Sequence, residues 1–146
     1  AKYSKVTIHT NLAHDLPLIE ASQTEMQQVF LNLINNALDA MEEKGGVINI
    51  TSQWNASHIE IEVSDNGPGI AAANLARVFD PFFTTKTIGK GTGLGMNIAY
   101  NIINKHQGRI RAESQVGEGA TFIIELPCQE QQEPGQPEAE DQALSA

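Results

Sequence analysis

Three asparagines lie within five positions of the sequence, in the stretch NLINNA at residues 32–37. Asn32 and Asn36 are four residues apart, so on a helix they project from the same face. A carboxamide there can offer its oxygen to Mg²⁺ and its NH₂ group to phosphate oxygens. Asn is a poor helix former, which favours a functional role, and an ordinary polar helix surface is the alternative.

A second candidate site is the stretch VSDNGPGI at residues 63–70, where Asp65 ends an alternating strand and Gly67 and Gly69 follow it. A carboxylate at a strand end can accept a hydrogen bond from the amino group of a purine. The glycines would let a flat ring approach the backbone closely. By themselves these residues fit an ordinary Asp-Asn-Gly turn better than a binding site.

A glycine-rich stretch, GKGTGLGM at residues 89–96, leads into a helical pattern over residues 94–106. The free N–H groups of a helix N-terminus form an anion site, and glycines let further N–H groups turn toward phosphate. Lys86 and Lys90 flank the stretch in a chain with few bases, which suggests an anionic ligand. The glycine spacing fits neither the dinucleotide-binding pattern nor the P-loop. The preceding loop DPFFTTK, residues 80–86, must dock its adjacent phenylalanines on another surface.

Composition excludes several functional classes. The net charge is −9 and no basic stripe is present, so we expect no nucleic-acid partner. No apolar run is long enough to span a bilayer. The single cysteine, Cys128, cannot form an internal disulfide, which is compatible with a reducing cytoplasm. We expect one domain over residues 1–127 and an acidic disordered tail or linker over residues 128–146.

Hydrophobic periodicity predicts the elements that position these residues. The main helix begins at the capping box Ser22–Glu25, in which the Glu side chain reaches back to the cap, and ends at Gly45-Gly46. Residues 70–79 fit a short helix. The predicted strands are residues 6–12, 47–53, 58–65, 108–114 and 120–127, with residues 16–22 as a short partner strand. This order predicts an α+β fold with a mixed, mostly antiparallel sheet and helices on one face, a two-layer sandwich, and not a Rossmann unit.

The blocks NLINNA, DNGPGI, DPFFTTK, GKGTGLGM and GATF occur in this order along the chain. In this combination the sequence resembles the catalytic ATP-binding domain of bacterial sensor histidine kinases, from about residue 5 to Pro127. Those domains belong to the GHKL superfamily, with gyrase, the large heat-shock ATPase chaperone and MutL. The resemblance implies the Bergerat fold, with ATP and Mg²⁺ held between the asparagine helix and a flexible lid.

The resemblance also implies roles for individual residues. Asn36 would coordinate Mg²⁺, and Asn32 would contact the phosphate and metal region. Asp65 would bind the adenine amino group, with Gly67 and Gly69 beside the base.

Further roles are implied on the lid and behind the base. Lys90, with Asn32, would be catalytic, and Thr121 would support Asp65. Asp39 stands where many of these kinases have Lys or Arg, which puts more weight on the lid lysines. The remaining predicted nucleotide contacts are Asp39, Ile70, Phe82, Lys86, Gly91, Thr92, Gly93, Leu94, Gly95 and Met96.

One position separates the kinases from the ATP-hydrolysing members of the superfamily, which use a Glu as general base where this chain has Asn32. A carboxamide cannot accept a proton near neutral pH, so we expect slow hydrolysis and phosphoryl transfer to another acceptor. The alternatives are a GHKL-type ATPase and a non-catalytic nucleotide-sensing module.

The implied partners lie outside this chain. The resemblance implies ATP and ADP, a histidine-bearing dimerisation domain of the same kinase and a downstream receiver domain of a response regulator. It also implies a monomeric isolated domain, a homodimeric full-length protein and a cytoplasmic location, with an inner-membrane anchor elsewhere in the parent left open. We expect the four histidines to be surface or structural residues: His9, His14, His58 and His106.

Overall fold

The computed structural model describes residues 5–55, 57–81 and 95–128. Its elements follow one another as β1 Val6–Asn11, α1 Gln23–Ala40, β2 Gly46–Trp54, β3 His58–Asp65, α2 Ala72–Leu75, α3 Gly95–Lys105, β4 Arg109–Ser114 and β5 Ala120–Pro127. The five main predicted strands are confirmed. The short strand predicted at residues 16–22 is wrong, because that segment has no regular structure up to the start of α1. Pro17 has no N–H to give to a ladder, and its side chain is buried.

The five strands form one sheet in the order β1-β2-β3-β5-β4. The β1–β2 pair is parallel, and the other three pairs are antiparallel. The predicted mixed, mostly antiparallel sheet is therefore confirmed. In the β3–β5 register Asp65 lies opposite Ala120, and Ser64 lies opposite Thr121.

Helices α1 and α3 pack side by side on one face of the sheet, which confirms the two-layer sandwich. A stripe of α1 and the inner face of α3 meet apolar side chains of the central strands. Each large aliphatic side chain buried in this way stabilises the fold by about 1.5–3 kcal/mol. The core includes Val29, Leu33, Ala37, Met41, Ile48, Val63, Met96, Ala99, Ile103, Phe122 and Ile124.

The N-terminus of α1 is capped differently from the prediction in one respect. Ser22 Oγ accepts a hydrogen bond from the Glu25 N–H at 3.2 Å, as expected. The Ser22 N–H, however, donates to Nε2 of His106 at 3.1 Å, and the Glu25 carboxylate pairs with Lys105 at 2.5 Å. His106 also contacts the Ile102 carbonyl through Nδ1 at 2.8 Å. The end of α3 therefore supplies part of the cap of α1, and His106 is structural, as predicted.

Two helices are shorter than the sequence predicts. Helix α1 ends at Ala40, and turn residues 41–44 separate it from Gly45-Gly46, where we expected its end. Only Ala72–Leu75 of the predicted helix at residues 70–79 is helical. None of the helices within the three described ranges is long and apolar enough to cross a membrane.

Candidate functional site

Asp65 occupies the last position of β3, on the helix-facing side of the sheet, and is only 8% exposed. Its Oδ1 accepts a hydrogen bond from the Gly67 N–H at 2.9 Å, and the Ala120 backbone N–H also donates to the carboxylate. Burial raises the pKa of Asp65 above its ordinary value of 3.8, and these two hydrogen bonds oppose the rise. A carboxylate has about four lone-pair sites, so two backbone donors leave acceptor capacity for a ligand.

The turn after Asp65 lies tightly against the turn between β4 and β5. Gly69 has φ +80°, and a Cβ at this position would lie 2.2 Å from the Gln115 carbonyl oxygen. Gly119 has φ +87°, and a Cβ there would lie 2.0 Å from the Asp65 carbonyl oxygen. Both positions therefore require glycine, and the close approach fixes the backbone that carries Asp65.

A serine that the sequence did not single out holds the same two turns together. Ser114 Oγ accepts a hydrogen bond from the Ile70 N–H at 2.7 Å and donates to the Gly119 carbonyl at 2.6 Å. Ile70, a predicted nucleotide contact, is partly buried and packs against the core. No local sequence signal identifies Ser114, because its two partners come from both sides of it in the chain.

Thr121 lies beside the predicted base site, but its hydroxyl makes its hydrogen bond on the other face of the sheet. Thr121 Oγ1 is 2.9 Å from Ser64 Oγ, and the strand alternation places both side chains opposite the face that carries Asp65. The described contacts of Asp65 come from backbone N–H groups instead. The backbone of the adjacent residue Ala120 supports the Asp65 carboxylate, and the role predicted for Thr121 stays a prediction.

On α1, Asn32 links two helices. Its Nδ2 donates to the carbonyl oxygen of Gly95, the first residue of α3, at 2.9 Å. Its Oδ1 accepts a hydrogen bond from Nε2 of Gln28 at 2.7 Å. Asn36, one helical turn further along α1, is half-buried, and Asp39 is exposed.

The two ends of the candidate site lie along the same face of α1. A Cβ on Gly67 would lie 3.7 Å from the Ala40 carbonyl oxygen, so the turn after Asp65 touches the C-terminal end of α1. Asn32, Asn36 and Ala40 follow one another at four-residue spacing. Because an α-helix rises 1.5 Å per residue, about 12 Å separate Asn32 from Ala40. Asn36 lies midway along this strip.

Helix α3 holds the segment that precedes residue 82. Asn97 Nδ2 donates to the Phe79 carbonyl at 3.0 Å. The Phe79 ring stacks on Tyr100 with a centroid distance of 5.4 Å and meets Phe122 edge-on at 6.1 Å. Sequence reasoning missed Asn97, although a polar residue in the first turn of a helix was a visible signal.

The remaining predicted contacts divide into two groups. Met96 is buried in the core, and Gly95 has space for a Cβ, whose only neighbour within 4 Å among the described residues is Asn32 Cγ at 3.9 Å. The others lie outside the described residues: Phe82, Lys86, Lys90, Gly91, Thr92, Gly93 and Leu94.

The carboxamide oxygens on α1 could act as ligands of a metal ion that is bound together with phosphates. Within residues 5–55, 57–81 and 95–128, no three His, Cys, Asp or Glu side chains form a group that could hold a metal ion. Mg²⁺ prefers oxygen ligands, usually keeps several waters and is often bound together with substrate phosphates. The half-buried carboxamide of Asn36 therefore fits a Mg²⁺ that is bound jointly with phosphates, and not a metal held by protein alone.

Comparisons with known proteins identify the family of this chain. The HATPase_c family model, described as histidine kinase-, DNA gyrase B- and HSP90-like ATPase, matches residues 21–130. The sensor histidine kinase ZraS of Escherichia coli (strain K12) is 44% identical over 112 residues, 77% of this chain and 23% of that protein. Sporulation kinase E of Bacillus subtilis (strain 168) is 36% identical over 133 residues, 91% of this chain and 18% of that protein.

Solved structures give the same result. The catalytic domain of the histidine kinase ThkA, in a nucleotide-free form, has a TM-score of 0.71 at 35% identity, covering 85% of this chain and 80% of that one. Full-length ShkA in complex with AMPPNP has a TM-score of 0.74 at 28% identity, covering 88% of this chain and 27% of that one.

The sheet, the two helices and the family match define the class first: the chain belongs to the HATPase_c family of ATPase-type domains. Within that class, its relatives and its structural neighbours are histidine kinases. The chain is an ATP-binding catalytic domain of the sensor histidine kinase type. It spans about a fifth of the length of the two kinases compared above, at 18% and 23%.

Proposed function

We propose that this domain binds Mg-ATP along the Asn32–Asn36 face of α1 and donates the γ-phosphoryl group to a histidine on a separate dimerisation domain. One observation carries the proposal. A buried carboxylate and a pair of half-buried carboxamides lie along one helix face, with the turn after Asp65 at one end and the first turn of α3 at the other. This strip offers acceptors for a base and donors for phosphates in one line.

At the base end, Asp65 would accept a hydrogen bond from the adenine amino group. Its carboxylate is already oriented by the Gly67 and Ala120 N–H groups, so little ordering is required when the base binds. Gly67 presents no side chain beside the carboxylate, where an added Cβ would lie only 3.1 Å from Asp65 Oδ1.

At the phosphate end, Asn36 would hold Mg²⁺ through its carboxamide oxygen, and Asn32 would face the phosphates. Mg²⁺, when bound, neutralises charge on the phosphate oxygens. In the transfer, the histidine nitrogen attacks the γ-phosphorus and the bond from that phosphorus to its bridging oxygen breaks. ADP leaves with the electron pair, and the imidazole proton passes to a base of the acceptor domain. Catalysis of this kind depends mainly on positioning and electrostatics.

The chemistry of the Asn32 side chain favours transfer to a histidine over hydrolysis. Its carboxamide cannot take a proton from water, and its described hydrogen bonds go to Gln28 and to the Gly95 carbonyl. Water activation would need a basic group in this position. Lys86 and Lys90, which the resemblance implies lie near the phosphates, remain part of the proposal as cationic contacts.

The proposal extends to partners of this chain. The acceptor is a dimerisation domain of the same kinase, and a response-regulator receiver domain takes the phosphoryl group from it. The names of the related proteins, which are sensor histidine kinases, support this arrangement. In this scheme the catalytic domain acts as a monomer in the cytoplasm within a homodimeric kinase.

Calorimetry of the full chain with ATP, with and without Mg²⁺, tests the proposal. We expect Mg²⁺-dependent binding that Asn36→Ala weakens about tenfold, since one charge-assisted contact is lost. Asn35→Ala is the matched control, because Asn35 is exposed on another face of the same helix. Absence of Mg²⁺-dependent binding in the unmodified chain would contradict the proposal.

Radiolabelled ATP distinguishes the reactions. When a purified dimerisation domain with its acceptor histidine is added, the label should appear on that domain and not on this chain. Rapid phosphate release by the domain alone would indicate an ATPase instead. Binding without transfer to the added domain would indicate a nucleotide-sensing module.

A further inference from the structure

Three polar groups form a continuous hydrogen-bonded series between α1 and α3. Gln28 Nε2 donates to Asn32 Oδ1 at 2.7 Å, and Asn32 Nδ2 donates to the Gly95 carbonyl at 2.9 Å. Gln28 is one helical turn before Asn32, so the two side chains lie on the same face of α1. The series ends on the first residue of α3.

The chemistry of the last member determines the orientation of the other two. A backbone carbonyl only accepts hydrogen bonds, so the Asn32 atom facing Gly95 must be the amide nitrogen. The Asn32 oxygen therefore points back along α1, where it needs a donor. The Gln28 amide supplies that donor, and a side chain that could only accept would favour the reversed carboxamide of Asn32.

This arrangement leaves Asn32 with unused hydrogen-bonding capacity. Its NH₂ group has two hydrogens and its oxygen has two lone pairs, and the series uses one of each. The remaining N–H can donate to a phosphate oxygen, and the remaining lone pair can accept a hydrogen bond from a water molecule. The direction in which they point is set by the two hydrogen bonds already made.

We propose that Gln28 is a positioning residue, which holds Asn32 in the orientation required for phosphate contact and keeps the first turn of α3 against α1. The proposal rests on the proposed function, because it assumes that phosphates bind beside Asn32. Gln28 itself is exposed and its side chain is polar, so it is not part of the hydrophobic core. Its replacement should therefore leave the fold intact.

Substitutions at position 28 test whether Asn32 requires a hydrogen-bond donor from this side chain. Gln28→Glu offers only acceptors at neutral pH, so it should draw the Asn32 NH₂ group toward itself and turn the Asn32 oxygen against the Gly95 carbonyl. Gln28→Met keeps the length and removes the donor. Gln28→Arg restores a donor. The same three changes at Gln27, an exposed neighbour about 100° around the helix, reproduce each change of charge without the contact.

The direct test is ¹⁵N-edited NMR of the full chain. In Gln28→Glu and Gln28→Met, the side-chain NH₂ resonances of Asn32 and the backbone amides of Gly95 and Met96 should shift. In Gln28→Arg and in all three Gln27 variants they should stay near their original positions. Unchanged Asn32 resonances in Gln28→Glu would overturn the proposal, whatever the domain binds.

Calorimetry with Mg-ATP supplies the functional test. Gln28→Met should bind about fivefold more weakly than Gln27→Met, which corresponds to one net hydrogen bond. Gln28→Arg should bind as tightly as Gln27→Arg. Equal affinities of the two Met variants would contradict the positioning role. If the unmodified chain itself takes up no Mg-ATP, the proposed function fails, and the NMR result still decides whether Gln28 orients Asn32.

Discussion

The two ends of the candidate site are held by different kinds of groups, backbone groups around Asp65 and side chains around Asn32. At the base end, Asp65 is held by backbone N–H groups of Gly67 and Ala120 and enclosed by turns that approach within van der Waals contact. The register of β3 with β5 places these groups, so the base end cannot move without disturbing the sheet.

At the phosphate end, side chains make the connections. Asn32 joins α1 to α3 through one hydrogen bond to Gly95 and is oriented by another from Gln28, near the protein surface. Each such bond contributes about 1 kcal/mol. Under the proposed function, the comparison predicts a rigid recognition site for the base and an adjustable one for the phosphates. Four predictions test this difference, from the largest expected effect to the smallest.

Gly119→Ala should cost about 3–4 kcal/mol of unfolding free energy, since it combines a positive φ with a clash against the Asp65 carbonyl. Gly117→Ala is the matched control. Gly117 has the same φ of +87°, but apart from its two chain neighbours no described residue comes within 4 Å of an added Cβ, so its replacement should cost only about 1 kcal/mol. Urea unfolding of both variants measures the difference, and equal midpoints would show that the base end is not closely packed.

Asp65→Asn should reduce ATP affinity about 10- to 100-fold, because a charged acceptor is replaced by a neutral amide. It should also bring the affinities for ATP and GTP closer together, since the new NH₂ group can donate to the guanine oxygen. Asp15→Asn is the control, because Asp15 is exposed and its φ of 58° suits Asn equally well. Calorimetry with both nucleotides gives the result, and undiminished ATP binding would remove the base end from the site.

Asn97→Ala should destabilise the domain by about 1 kcal/mol relative to Asn104→Ala, because only Asn97 donates to the Phe79 carbonyl. Both changes raise helix propensity in α3 equally, and Asn104 is exposed. Thermal unfolding compares the two variants. Equal stabilities would mean that ring packing alone holds Phe79 in place.

The smallest effect concerns pH. Because the pKa of Asp65 is raised on folding, the folded state binds this proton more tightly than the unfolded state, so ionisation of Asp65 lowers stability. Its contribution is fully present below the ordinary pKa of 3.8 and is lost as pH rises through the raised pKa. The stability of Asp65→Asn relative to the unmodified chain should therefore increase with pH over this interval. Urea titrations at several pH values measure the difference, and a constant difference would contradict it.

Much of the fold could be predicted because its signals are local. Each signal occupies a short stretch of sequence: the apolar stripe of α1, the alternation of β3, and the sequence blocks DNGPGI, DPFFTTK, GKGTGLGM and GATF. The family resemblance and the two-layer fold are confirmed. A carboxylate at the end of an alternating strand, followed by glycines, is visible at Asp65 without any partner, but only the resemblance assigned it to the adenine, and that role stays a prediction. The roles assigned to Asn32, Asn36 and Thr121 in nucleotide binding stay predictions.

Other features could not be read locally. The segment at residues 16–22 was predicted to be a short partner strand, but β1 instead pairs in parallel with β2, which is 40 residues further along the chain at Val6 and Gly46. The Ser22 N–H was expected to meet Glu25, three residues away, and instead meets His106, which is 84 residues away.

The amino-acid sequence by itself determined which residue types are present and on which face of each element they lie. It therefore determined the asparagine face of α1, the carboxylate at the end of β3 and the class of the domain. Only the tertiary structure decided which groups those residues meet: the Gly95 carbonyl for Asn32, the Phe79 carbonyl for Asn97 and the Ser64 hydroxyl for Thr121. The physical reason is that hydrophobic periodicity is a property of a short stretch of sequence and reports only which face of that element is buried. A hydrogen bond between residues 63 positions apart, such as that from Asn32 to Gly95, forms only after packing has brought the two elements together.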